Sequence, residues 1–351
     1  MKKIFLFILS LGIVSAIYAS SRGEQVEPCD ALKPLQEQAD SGNLNAMYRL
    51  SIAYENGIPG CAPDTAAAID LLHKSAMGGY APAMNYLGYC YGAGHLGLRR
   101  DADSALWWIE KAAAADVPDP KAFNNLGAML LYGELGVQRD YAKARYWLSK
   151  GAEAGVATSA AMLAKVYLQG LDIEPDTTAA IPLLRQGARA GILDAALELA
   201  DIILPQTDSL PSEQLLNTAL PYYHERITPV AIPLIERAAN ADVPLAVAIL
   251  AQCTAEGIGV DYDYDRAVEL YARAAALGEP HAQYILAETL QALPDLLASR
   301  PELVSTLIGH EECDDTDTAT LSEILYARAA HAGITDAAKA LQPLRPNVLL
   351  K

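Results

Sequence analysis

Three groups of side chains in this sequence could do chemistry. His310-Glu311-Glu312-Cys313-Asp314-Asp315 sets an imidazole and a thiol among carboxylates, a donor set able to take a divalent cation. In the absence of a second ligand run it reads as a solvated acidic loop. Asp261, Asp263 and Asp265 alternate like the first ligands of a calcium loop, yet Arg266 and Ala272 stand where that loop needs Gly and Glu. They read as the turn and N-cap ahead of a helix. The remaining histidines, His73, His95, His224, His281 and His331, are scattered, and there is no HExxH, CxxC, GxSxG, P-loop or GxGxxG pattern. The sequence therefore assigns no catalytic residue, no metal and no cofactor.

The elements that would position any site come from an internal repeat. One segment runs Gly, three residues, small, three residues, Leu, small, then Tyr and Gly at helical spacing: Gly42, Ala46, Leu50, Tyr54 and Gly57, then Gly79, Ala83, Leu87, Gly88, Tyr91 and Gly94. Further copies fall at Leu126 to Gly133, at Gly155 to Gly170, and in weaker form at Gly191, Ala246, Gly278 and Gly333. Between them runs a second segment, such as Ala68, Leu71, Leu72, Ala76 and Gly79, or Ala105, Trp108, Ile109, Ala113 and Asp116. Both spacings put apolar and small residues on one stripe of a helix, and the closing Gly supplies the left-handed stop. The two form a hairpin of an A helix and a B helix. Neither buries its stripe alone, so hairpins must stack.

The unit recurs about every 37 residues, with two enlarged copies holding insertions at 205–229 and 294–319. Each insertion is expected to add a short helix or a lid. Ser212 and Ser299 read as N-caps within them, and Thr320 with Glu323 as a capping box. The expected fold is all-α, a right-handed α/α superhelical solenoid of about seven hairpins, with a capping half-repeat at 20–41, the solenoid at 42–342 and a tail at 343–351. Composition agrees: 52% of the 351 residues are hydrophobic, which excludes a disordered chain, and a net charge of −17 opposes binding to nucleic acid or anionic lipid.

Lys2 and Lys3 precede an apolar run from Ile4 to Ala19 that is too short to span a bilayer. It reads as a secretory signal peptide over 1–19, with Ala16 and Ser21 as other possible ends, and places the mature chain in the periplasm or outside the cell. No other stretch is long and apolar enough for membrane insertion. Export permits disulfides, and among Cys29, Cys61, Cys90, Cys253 and Cys313 the pair Cys29 and Cys61 is the candidate, because adjacent stacking would bring their loops together. Cys90 and Cys253 hold one repeat position several units apart and read as small core residues.

The run Leu-Gly-Ala-Met-Leu-Leu-Tyr-Gly-Glu-Leu-Gly-Val from Leu126, followed by Asp-Tyr-Ala-Lys-Ala-Arg-Tyr-Trp-Leu-Ser-Lys-Gly-Ala from Asp140, resembles a Sel-one-like repeat, a variable-length relative of the tetratricopeptide repeat. The resemblance covers residues 42–342. It implies a superhelical adaptor that binds a protein or peptide partner along its concave, A-helix side, with no catalytic residues. Cysteine-rich secreted members staple each hairpin with a regular cysteine pair, which this sequence lacks. If the A helices line the groove, the groove positions lie two and six residues after the small residue that opens each A helix. Tyr48, Asn85, Tyr89 and Asn124 are the candidate contacts there, since Asn can bond an extended backbone and Tyr supplies area at low entropy cost. Trp107 and Tyr146 share one position on consecutive B helices and could form an exposed aromatic ladder. The competing readings are an envelope glycan-binding or hydrolytic protein with its site in the insertions around His224 or His310, and a self-associating spacer.

Overall fold

A computed structural model describes residues 31–59, 61–293, 295–300, 302–308 and 318–341. The signal peptide, Cys29, the run from His310 to Asp315 and the tail lie outside the described residues. The described chain is all-helical with one isolated β-bridge, Ile58 to Cys61. It divides into two compact units, one ending at Leu183 and the other beginning at Leu184.

The first unit opens with α1 (Lys33–Asp40) and then alternates A and B helices: α2 (Leu44–Asn56) with α3 (Thr65–Met77), α4 (Ala81–Ala93) with α5 (Ala102–Ala113), α6 (Pro120–Tyr132) with α7 (Tyr141–Glu153), and α8 (Ala157–Gln169) leading to α9 (Thr177–Arg189), within which the division falls. Its core is a row of small clusters, one per hairpin step, centred on buried Leu50, on Leu72 and Leu87, on Ile109 and Leu126, and on Leu148 and Leu163. Each repeat leucine thus meets the neighbouring hairpin.

Two local devices close the hairpins. Asp64, Asp101, Asp140, Asp176 and Asp263 each stand four residues before the small residue of a B helix and cap that helix, as where Asp64 accepts from the Ala67 amide and Asp140 from the Lys143 amide. The amide of each of these aspartates donates to a carbonyl in the last turns of the preceding A helix: Tyr54, Tyr91, Leu130, Tyr167 and Thr254. The cap therefore ties B to A within about ten residues of sequence. The second device is close approach. A Cβ on Gly88 would lie 2.5 Å from Ile109 Cγ1 and 2.9 Å from the Ala105 carbonyl oxygen, so only glycine lets α4 and α5 meet there.

The second unit contains α10 (Leu193–Ile203), α11 (Ser212–His224), α12 (Thr228–Asn240), α13 (Pro244–Glu256), α14 (Tyr264–Ala276), α15 (Pro280–Ala292), two short helices α16 (Leu296–Ser299) and α17 (Glu302–Ile308), then α18 (Thr318–His331) and α19 (Thr335–Leu341). The first insertion is a full helix, α11, packed along α12. The turn between them takes Arg226 to a positive φ of 59°, as the turn into α13 does with Asp242 at 58°, the place glycine holds in regular units. Ser212 is not a cap: Pro211 occupies the N-cap position and Ser212 begins the helix. Ser299 is likewise not a cap, for it closes α16 and donates to the Leu296 carbonyl at 2.8 Å. Thr320 and Glu323 both fall inside α18.

The second insertion leaves α15 and returns to it: α18 packs on α15, while α17 packs on α14. Arg300 fixes this excursion, with Nε on Glu302 at 3.0 Å, Nη1 on the Asp265 carbonyl at 3.3 Å and Nη2 on Glu269. One arginine position, six residues into the B motif, also recurs through this unit. Arg237 donates to the Thr207 carbonyl, Arg273 to that of Ala239 and Arg328 to that of Leu307, each at the C-terminal end of an earlier element, where unpaired carbonyls and the helix dipole favour a cation.

Candidate functional site

The candidate contacts on the A-helix face all lie in the first unit, and the structure separates them. Tyr89 is exposed, at 47% of its surface. Asn85 is buried, at 7%, and both ends of its amide are bonded: Nδ2 donates to Asp119 Oδ2 at 2.7 Å, and Oδ1 accepts from Asn125 Nδ2 at 2.8 Å. The expectation that Asn85 faces an open groove is therefore corrected. Asn124 is half-buried, and its Oδ1 accepts from Thr158 at 2.7 Å and Ser159 at 3.1 Å. Tyr48 is half-buried too, with its ring 5.7 Å from Tyr80 and 6.2 Å from Tyr86.

One cause explains all three. A residue two places after the small residue of an A helix points along the stack at the following A helix, so Tyr48 meets α4, Asn85 meets α6 and Asn124 meets α8. Six places after it, Tyr89 is exposed whereas Ile52, Ala128 and Lys165 are half-buried, so the position alone does not set exposure. Burial pushes the Tyr48 phenol up to about 12, with the carboxylates of Asp119 and Glu55 acting in the same direction.

Four residues that sequence reasoning missed complete this face. Glu55, at the end of α2 with its side chain 12% exposed, accepts from the Tyr86 hydroxyl at 2.6 Å and lies 2.7 Å from His95 Nε2. Tyr86 stacks on Tyr89 at 5.9 Å and 16°, and His95 meets the Tyr89 ring edge-on at 6.3 Å. Asp119, at the N-cap of α6, completes the set. The signal for Glu55, Tyr86 and His95 lies in separations of 31 and 40 residues, which bracket the repeat length and mark contacts between neighbouring hairpins.

Glu55, Tyr86, His95 and the adjacent Cys90 resemble an acid–base constellation in composition only. Cys90 is fully buried, and burial pushes its thiol up to about 12; burial and the Glu55 hydrogen bond raise the Tyr86 phenol as well. Neither supplies a nucleophile at neutral pH.

On the B helices Trp107 and Tyr146 are 49% and 55% exposed. Each stands edge-on against the following core tryptophan, Trp108 at 4.6 Å and Trp147 at 4.9 Å, and Lys111 sits 5.4 Å over the Trp107 ring. These contacts hold the two rings while leaving about half of each residue exposed. A cavity of about 350 Å³ lined by Tyr91, Arg99, Arg100 and Asp101 lies at the loop from α4 to α5, where Arg100 Nε is committed to the Gly92 carbonyl at 3.1 Å. Cys61 is disulfide-bonded and its proposed partner Cys29 lies outside the described residues; Cys90 and Cys253 are free and buried. Among the described residues, no three His, Cys, Asp or Glu side chains cluster as metal ligands and no helix is long and apolar enough to cross a membrane. Asp263 caps α14 through the Arg266 amide at 2.9 Å. His224 is exposed at the end of α11, and His310 lies outside the described residues.

Hairpins of paired helices joined by left-handed turns, repeated with a shared core step, define an α/α repeat protein whose working parts are its surfaces. The model of the Sel1 repeat matches residues 44–80, 81–117, 120–156, 157–192 and 244–279, just over half of the chain, and the chain belongs to the Sel1 repeat family. Repeats of this kind generally serve as scaffolds for protein interactions. The stretch from Leu193 to Val243 is unmatched, as α11 explains.

Solved structures similar to this chain include a protective antigen of uropathogenic Escherichia coli displaying an SLR fold, 21% identical over 97% of this chain and 80% of that one with a TM-score of 0.47. A Sel1 repeat protein from Oxalobacter formigenes is 22% identical over 94% and 93% of the two chains, with a TM-score of 0.41. An immunity protein from Pseudomonas aeruginosa is 17% identical over 86% and 88%, with a TM-score of 0.33. No curated protein matches the sequence.

Proposed function

We propose that this chain is a non-enzymatic scaffold of the cell envelope that binds a protein or peptide partner on the A-helix face of its first unit. The observation that carries the reading is Tyr89, an aromatic ring left open on a face whose neighbouring side chains are all engaged with one another. A large aromatic held rigid by its neighbours gives contact area at little entropic cost. Trp107 and Tyr146 offer a second, B-helix surface of the same kind. Asn85 and Asn124 contribute by holding successive A helices in register rather than by touching the partner. The envelope location rests on the signal-peptide pattern of residues 1–19.

The test is a pull-down from solubilised envelope with the tagged mature chain beginning at Ser20, followed by identification of what co-purifies. A dominant protein lost with Tyr89→Ala supports the A-helix face, and one lost only with the double variant Trp107→Ala and Tyr146→Ala moves the site to the B helices. Recovery of the bait alone overturns the scaffold reading.

A further inference from the structure

The first unit's A-helix face holds two carboxylates, Glu55 and Asp119, close enough for both to act on Tyr48. Both are largely shielded from water, and among the described residues no lysine or arginine side chain bonds either one. Their partners are a phenol, an amide, a backbone amide and the imidazole of His95. Buried Glu279 likewise has no cation among the described residues and caps its helix through the Ala282 amide, but other carboxylates are paired. The part-buried Glu225 has Arg185, and Glu269 and Asp265 have Arg300. A face that keeps carboxylates in place without a strong cation, beside a half-exposed tyrosine whose ring is braced by Tyr86 and His95, has the two features that receive a basic side chain: negative potential and accessible aromatic surface.

We infer that the partner is recognised through a lysine- or arginine-bearing segment whose cation lies against the exposed part of the Tyr89 ring, on the side of Glu55. This rests on the A-helix face being the binding face and names the chemistry of what it binds. Arginine suits the place better than lysine, since its flat guanidinium can stack on the phenol ring while turning donors toward the carboxylate. The net charge of −17 would draw any basic peptide to the chain, so the decisive variants are those that separate a built site from that diffuse attraction.

Fluorescence anisotropy of the full chain with an arginine-bearing octapeptide, and with the same octapeptide carrying glutamate instead, makes the test. The arginine peptide should bind saturably and the glutamate peptide should not. Tyr89→Ala leaves the net charge unchanged and should weaken binding roughly three- to tenfold, the size of a cation–π contact at a partly exposed site. Glu55→Gln should weaken it too, and Trp107→Ala should leave it as it is. Thermal melts of each variant establish that the fold is retained. If Tyr89→Ala and Glu55→Gln, both folded, bind the arginine peptide like the parent chain, the attraction is diffuse and the inference fails. If an apolar or acidic peptide crosslinks to Tyr89 while the arginine peptide does not bind, the binding face stands and the basic partner is overturned. If no peptide engages this face, both readings fall.

Discussion

Replacing Asn85 by alanine tests whether this amide is a structural link or a ligand contact. Asn85 joins the carboxylate of Asp119 to the amide of Asn125 in a place only 7% open to solvent. The substitution removes one hydrogen bond to a charged group, worth about 1.5–3 kcal/mol, and one between neutral groups, worth about 1 kcal/mol. Asp119 Oδ1 keeps the Lys121 amide, but Oδ2 is left without this side-chain donor. The expected loss is about 3 kcal/mol, a large share of a typical domain's stability. Asn125→Ala removes only the second bond and should cost about 1 kcal/mol, and the double variant should lose about 1 kcal/mol less than the sum, because that bond is counted twice. Urea unfolding followed by far-UV circular dichroism gives these differences, with the m value compared among variants because stacked hairpins can come apart in pieces. A folded Asn85→Ala chain within about 0.5 kcal/mol of the parent would refute the buried link and return Asn85 to the exposed face.

Gly88→Ala gains about 1 kcal/mol of helix propensity but forces a methyl group to within 2.9 Å of a backbone carbonyl, an overpacking cost of about 1–3 kcal/mol. A net loss of stability in thermal unfolding is expected, and a variant as stable as the parent would show that α4 and α5 stand further apart. His73 packs edge-on to Tyr91 and Trp108, and burial lowers its imidazole below the usual histidine value, with nearby Asp70 opposing. The folded state therefore binds the proton less well than the unfolded one, so this contribution is present at neutral pH and is lost as pH falls through the unfolded histidine value toward the folded one. The melting temperature should fall on acidification through that window by less in His73→Gln than in the parent chain, and an NMR titration placing His73 at or above the ordinary value would refute the assignment.

The hairpins were legible because each carries its own spacing: Ala46 with Leu50 and Ala68 with Leu72 identify their faces without reference to anything distant. The extra helix α11 escaped as a full element because Pro221 lies within it and Arg226 takes the turn position that Gly79 and Gly278 mark elsewhere. The aspartate caps stand at a fixed four-residue offset, but only two carry a further mark: Asp263 in its likeness to a calcium loop and Asp140 at the head of the Sel-one-like run. Side-chain fate on the A-helix face was the least legible. Asn85 and Tyr89 lie one helical turn apart on the same stripe, and only the phase of α6 relative to α4 decides that one is buried and the other open. That phase is a property of two hairpins together, and a single helix's periodicity does not contain it.

Successive A helices of the first unit are joined by three different chemistries: ring edges between Tyr48 and Tyr86, a carboxylate and two amides around Asn85, and hydroxyls on the Asn124 oxygen. Hairpins with nearly the same backbone can slip, skip or swap with one another while the chain folds, and repeat proteins are prone to such misassembly. Here a hairpin that skipped its neighbour would set Tyr48 against Asp119 and Asn125, or Asn85 against Val156 and Met162, and leave a polar group unmet. The order of the repeats is thus written in side chains that differ, and each junction accepts one neighbour.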